Sequence, residues 1–217
     1  MIERGFLTGN EEQRALGVEA QWRIPLRCRV YVDEAHRVGR AAERRWAWSL
    51  RGARVECYLE ASPGVCKSFF VAVAHDQILD WIVTRPPPGQ TAVDVLAFMN
   101  NFLLPRMRSV EEGLAWEDQP DRCVSVLDNA RIHDEASLEV LRDVGVFVLS
   151  FTPYSPDFDP KEDVFSVGSN LLRRCYSPAQ FNACPMLTID TMLLYITGLM
   201  CRGIFRAEVR RYRLYVP

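Results

Sequence analysis

The chain has 217 residues, 48% of them hydrophobic and 25% charged, an ordinary globular balance that excludes a disordered, collagen-like or coiled-coil protein. With 26 Lys and Arg against 28 Asp and Glu the net charge is −2, which excludes a uniformly basic nucleic-acid binder and shifts attention to local charge. The longest apolar stretches, such as Val144–Leu149 and Met192–Ile196, are too short to span a bilayer, and Met1–Gln13 lacks a signal-peptide core. A soluble intracellular protein with no membrane partner is expected.

In chain order, residues 10–22 read as a helical lead-in. Arg27–Val32 alternates and is rich in β formers, so it reads as a strand, ending in Asp33-Glu34. Trp46–Ser49, Arg54–Leu59 and Ser68–Ala74 follow as short strands, separated by turn residues at Arg51-Gly52 and Ser62-Pro63-Gly64. This succession predicts an antiparallel meander. Residues 85–91 (RPPPGQT) are a loop, because three prolines fit neither a helix interior nor a central strand. Thr91 and Asp94 form a capping box, and Val95, Phe98, Met99, Phe102 and Leu103 make one apolar helical face that ends near Pro105.

Cys123–Leu127 is a short apolar strand ending in Asp128-Asn129. A helix over 134–144 stops at Gly145, and Val146–Phe151 reads as a strand covered on both faces. Residues 152–160 (TPYSPDFDP) are a rigid loop. Asp159 then stands at an N-cap, Pro160 at N1 and Glu162 at N3 of a helix reaching about Cys175. Ser177, Pro178 and Gln180 repeat the pattern, and a variable helical tail follows to residue 217. Strand–helix–strand units after the meander predict a mixed α/β sheet of five strands, three antiparallel then strand–helix repeats, flanked by helices. The expected division is a lead-in over 1–26, a core domain over 27–176 and a helical extension over 177–217.

Asp33, Asp128 and Glu162 each sit at an element end, where ligand sites of open α/β sheets gather. If the first strand and that of Cys123–Leu127 are parallel neighbours, Asp33 and Asp128 lie side by side and Glu162 faces them from its helix. Three carboxylates repel one another unless a cation sits among them, and hard oxygen ligands suit Mg²⁺ or Mn²⁺. Acids at strand ends and helix starts are also common as plain caps, as Asp159 is. Two ions about 3.5–4 Å apart would suit attack on a phosphodiester. Glu34 points to the opposite strand face from Asp33, and Asp163 is turned about 100° from Glu162.

The other features are less specific. The seven cysteines form no CxxC pair, so neither a zinc site nor a secreted disulfide framework is expected, only small buried hydrophobes. Arg37 to Arg54 holds six arginines with one acid, and Arg202 to Arg213 holds five with one acid. Arg37, Arg40, Arg44 and Arg45, with Trp46 and Trp48, can hold phosphates and stack bases. The plain alternative is a solvated arginine face over tryptophans in the core.

The segments VYVDE (30–34), RRWAW (44–48), VLDNARIH (126–133) and TPYSPDFDPKEDVF (152–165) together resemble the catalytic domain of mariner-type DDE transposases, or DDE superfamily endonucleases. The resemblance covers roughly residues 28–176, with 162 − 128 = 34 positions from second to third acid. It implies an RNase H-like fold shared with retroviral integrases. It also implies that Asp33, Asp128 and Glu162 are the catalytic acids and ligands of two Mg²⁺ or Mn²⁺ ions. Asn129, His133 and Asp157 would support them, and the partners would be double-stranded DNA, as transposon ends and target, and a second copy in a homodimer. The location would be the nucleus if the host is eukaryotic.

There are departures from the family pattern. Ala47 replaces the Gly of Gly-Trp, Asp159 replaces an Asn, and Ser166, Gly168 and Ser169 occupy the region where a helix lysine is usual. Such transposases also carry N-terminal helix-turn-helix domains, for which the segment before the first strand is too short. The expected function is metal-dependent DNA cleavage and strand transfer. The alternative is an inactive or domesticated relic that binds DNA or protein, and another RNase H-like nuclease ranks third.

Overall fold

The computed structural model describes residues 11–38, 65–84, 91–128, 135–151 and 159–215. In chain order these form α1 (Glu11–Trp22), β1 (Arg29–Val38), β2 (Cys66–Ala74), β3 (Gln77–Thr84), α2 (Ala92–Phe98), β4 (Val124–Leu127), α3 (Glu135–Asp143), β5 (Phe147–Ser150), α4 (Pro160–Cys175), α5 (Pro178–Ala183), α6 (Pro185–Tyr195) and α7 (Gly198–Tyr215). The five strands make one sheet in the order β3-β2-β1-β4-β5. The first three pair antiparallel, while β1–β4 and β4–β5 pair parallel, as the strand–helix order requires.

The sheet has a core on each face. Tyr31, Phe69, Val71, Val73, Val124 and Val126 point toward α1, α4, α6 and α7, whereas Val30, Val32, Phe70, Ala72 and Leu127 point toward α2 and α3. The split follows the two-residue period of strand side chains. Val18 of α1 and Phe205 and Tyr212 of α7 belong to the same buried cluster as the central strands.

Three expectations need correction. First, β1 does not end at Asp33-Glu34. It continues to Val38, because β2 goes on supplying hydrogen bonds from Asp33↔Val71 to Val38↔Cys66 after β4 has stopped at Leu127. Second, β5 is not covered on both faces. It is the sheet's edge strand, and Phe147 is 43% exposed even though Trp116 meets it edge-on at 5.5 Å between ring centroids. Third, β3 was not anticipated. Ile78, Trp81, Ile82 and Val83 are good β formers, and the turn at His75-Asp76 folds them back on β2. The strands expected at 46–49 and 54–59, and the proline loop at 85–90, lie outside the described residues.

The caps follow the sequence closely. Thr91 and Asp94 close a reciprocal capping box on α2, Asp159 accepts from the Lys161 N–H at the start of α4, and Ser177 pairs with Gln180 on α5. The helix begun by α2 loosens into a wide turn over Met99–Leu103 and a tight one over Leu104–Arg106, where Pro105 stops it. α4 runs unbroken for 16 residues through Gly168. A Cβ at Gly168 would lie 2.9 Å from Met192 Sδ, so its absence lets α6 approach. Among the described cysteines Cys28, Cys123 and Cys201 are buried as expected, while Cys175 and Cys184 are exposed. No single described helix is long and apolar enough to cross a membrane, though the bent pair α6–α7 passes that test jointly.

Candidate active site

The site lies in a notch of the sheet. β1 and β4 run side by side in the register Val32↔Leu127, so Asp33 and Asp128 are the next residues of neighbouring strands. Two-residue alternation puts Asp33 with Tyr31 and Ala35, and Asp128 with Val124 and Val126, on the face covered by α4. Because β4 is only four residues long, the chain leaves the sheet at Asp128 while β1 continues beyond it. Two carboxylates therefore meet at an interior strand's midpoint and a short strand's end.

The start of α4 supplies the rest. Phe151 N–H still bonds to Leu127 O at 2.6 Å, which fixes the exit of β5. Asp159 caps α4, with Oδ1 accepting from Lys161 N–H at 3.0 Å. Glu162 follows in the first turn, exposed to solvent, where a carboxylate also favours the positive end of the helix dipole. The negative charges of Asp128 and Glu162 both reach Asp33. Burial first, and then those two charges, raise the Asp33 pKa above its ordinary value, with Lys161 and the Glu34 N–H opposing.

Lys161 is the residue that sequence reasoning missed. It lies between the N1 proline and Glu162 and is 1% exposed. Its Nζ is 3.3 Å from Asp159 Oδ2, 3.5 Å from Asp33 Oδ2 and 5.7 Å from the Phe151 ring centroid, and it donates to Val32 O at 3.3 Å. Burial disfavours the ammonium, but Asp159, Asp33 and Asp128 outweigh that effect and its pKa is raised. Asp159 is pushed up to about 6 by burial, with Lys161 opposing. The signal was present in the sequence: a lysine in a helix's first turn opposes the macrodipole, so it needs a tertiary reason.

Asp33 Oδ1 accepts the Glu34 N–H at 2.7 Å while Oδ2 faces Lys161, so the carboxylate is oriented from two sides. Asp33, Asp128 and Glu162 are hard oxygen donors of one sign, which fits a divalent ion of the Mg²⁺ or Mn²⁺ type. Among the described residues, however, no three such side chains already stand as close as metal ligands do. Arg37 lies opposite Lys67 near the end of β1. Asn129, His133, Asp157, Arg40, Arg44 and Arg45 lie outside the described residues.

The profile of the DDE superfamily endonucleases matches residues 29–180, from the first residue of β1 into α5. The chain belongs to that family. Its fold is also that of solved Mos1 structures. A pre-cleavage Mos1 transpososome aligns with a TM-score of 0.74 at 16% identity, covering 100% of this chain and 65% of that one. A Mos1 mariner paired-end complex with Mn aligns with a TM-score of 0.71 at 15% identity, again covering 100% and 65%. The catalytic domain of Mos1 mariner transposase gives 0.66 at 15% identity, covering 97% and 95%. This DDE endonuclease chain thus spans just under two thirds of the chains in those complexes and nearly the whole of the isolated catalytic domain. No curated protein sequence matches it. At such identities the likeness establishes the RNase H-like fold.

Proposed function

We propose that this DDE endonuclease is the catalytic part of a DNA transposase, in which Asp33, Asp128 and Glu162 hold two Mg²⁺ or Mn²⁺ ions. The observation that carries the reading is the meeting of Asp33 and Asp128 on one face of adjacent parallel strands, with the charge of Glu162 reaching Asp33. Support also comes from the Mos1 neighbours, which include a paired-end complex with the left transposon end and structures with Mn or Mg.

The reaction has two steps. Water attacks a phosphodiester at a transposon end, the P–O bond to the 3′ oxygen breaks, and a 3′-hydroxyl is released. That hydroxyl then attacks a target phosphodiester, forming a new P–O bond and freeing a target 3′-hydroxyl. Held by Asp33, Asp128 and Glu162, a divalent pair would supply Lewis-acid charge for the displacement. Asp33 is held by the Glu34 N–H and by Lys161, so its orientation does not depend on substrate. Exposed Glu162 sits on the solvent side, where a duplex can reach. Asn129, His133 and Asp157 are assigned to support of the acids, and Arg37, Arg40, Arg44 and Arg45 to backbone phosphates. A homodimer would bring two transposon ends together.

The test is nicking of a duplex carrying a transposon end in Mg²⁺. The wild-type chain is expected to nick it, and Asp128→Asn to lose at least a hundredfold in rate while still binding DNA. Retained nicking by Asp128→Asn would remove the assignment.

One observation favours a second reading. Lys161 already places a cation against Asp33 and Asp159, which suits a fold that persists without metal, as in an inactive relic. Mn²⁺ titration followed by electron paramagnetic resonance separates the two, since a relic shows no tight divalent binding.

A further inference from the structure

We propose that the exposed face of α7 is a second DNA-contact surface, a track of arginines that binds duplex backbone phosphates and leads them toward the acidic notch. The inference rests on the DNA-handling reading above. Arg202, Arg206, Arg210 and Arg213 are all exposed. At 100° per residue they fall within an arc of roughly 80°, and at 1.5 Å per residue they extend over roughly 16 Å. Among the described residues no ion pair joins any of the four to a carboxylate. The acid on α7, Glu208, is fully buried against Tyr31 on the opposite face, and Arg211, which does have an acidic partner, faces Asp163 of α4 at 2.8 Å. The four charges are therefore left to solvent or to an anion.

The course of α7 gives the track its direction. Gly198 sits against the β2–β3 turn, where a Cβ would come within 2.3 Å of Asp76 O, so α7 starts at the sheet edge away from the notch. Phe205 then crosses Tyr31 of β1 at 5.5 Å between centroids. Arg211 finally meets Asp163, the neighbour of Glu162. The last two arginines of the stripe thus flank the residue that ties α7 to the site-bearing turn of α4. Duplex DNA presents about one backbone charge per 1.7 Å of axis, so roughly nine or ten phosphates lie along such a track, and the arginine fork suits them.

The experiment is fluorescence anisotropy of a 30-base-pair duplex with the full chain, titrated over KCl without divalent ions. Each lost phosphate contact lowers the slope of log K against log salt by about 0.9, so the fourfold Arg→Gln variant should lose about 3–4 in slope and at least tenfold in affinity at 0.1 M salt. The paired variant R202Q/R206Q should lose about half the slope, which guards against misfolding of the full set, and circular dichroism checks α7 in each. Arg23→Gln, a surface arginine held by Glu19 on α1, should change nothing. An unaltered slope with normal wild-type binding overturns this inference alone, and a lost self-association with unaltered slope would reassign the face to a protein interface. Failure of the wild type to bind duplex at all overturns both this inference and the transposase reading.

Discussion

Lys161 stands between Asp33 and Asp159 as the buried cation of the site, and the arrangement is asymmetric. Lys161 is 1% exposed and holds two carboxylates, whereas each carboxylate keeps other partners. Removing the lysine leaves Asp33, Asp128 and Asp159 facing one another in a partly desolvated notch. Breaking a buried pair from one side costs about 3–5 kcal/mol. Lys161→Met, similar in length and uncharged, is therefore expected to lower the unfolding free energy by roughly that amount in a chelator-treated protein. It should also bind Mn²⁺ more tightly than wild type, because a fixed positive charge beside the ligands is gone. Denaturant unfolding with and without Mn²⁺ measures both, and equal metal affinity in the two proteins would show that Lys161 does not sense the ion site. Asp33 and Asp128 were legible in the sequence because acids following hydrophobic runs stand out. Lys161 gave only the weak local sign of a base in a helix's first turn, and its burial against Asp33 and Asp159 is set by packing between distant segments.

The caps of α2, α4 and α5 were readable because they are made within four residues. The extent of β1 was not, since its residues from Asp33 to Val38 are held by β2, 38 to 28 positions further on in the chain (71 − 33 and 66 − 38). The edge position of β5 was hidden for the same reason: an apolar run does not state how many neighbours it has. Gly168 shows the trade between local and tertiary terms. Glycine costs about 1 kcal/mol in a helix, yet here it admits Met192, itself 1% exposed, to within contact of the α4 backbone. Gly168→Val should force α4 and α6 apart and cost about 1–3 kcal/mol through overpacking. A melting temperature unchanged from wild type, read by circular dichroism, would show that Met192 simply swings aside.

At the scale of the whole molecule, a buried polar cluster joins the N-terminal helix, the central strand and the C-terminal helix. Tyr31 OH donates to Glu208 Oε1 at 2.9 Å, Arg29 lies 3.7 Å from the same oxygen, and Tyr212 OH donates to Gln21. Burial pushes the Glu208 carboxyl up to about 7 from 4.5, with Arg29 opposing. A raised carboxyl pKa means that the folded state binds the proton more tightly than the unfolded state. Its stabilising effect is full below pH 4.5 and is lost as pH rises through about 7. Asp159 acts with the same sign, but its window closes near about 6. Stability should therefore fall between pH 6 and 7 in the wild type, and Glu208→Gln should flatten that interval. Urea unfolding at half-unit pH steps checks it, and an equally steep fall in the variant would assign the dependence elsewhere. The sequence by itself determined the class of sheet, the caps and the two acids that follow apolar runs, because periodicity, capping chemistry and the family motifs are local in the chain. Only the tertiary structure decided that Asp33 and Asp128 share a face, that Lys161 is buried against Asp33, and that α7 carries its arginines outward. Those facts depend on which strands become neighbours and which helix face meets the sheet, and neighbours in space are set by packing between segments far apart in the chain.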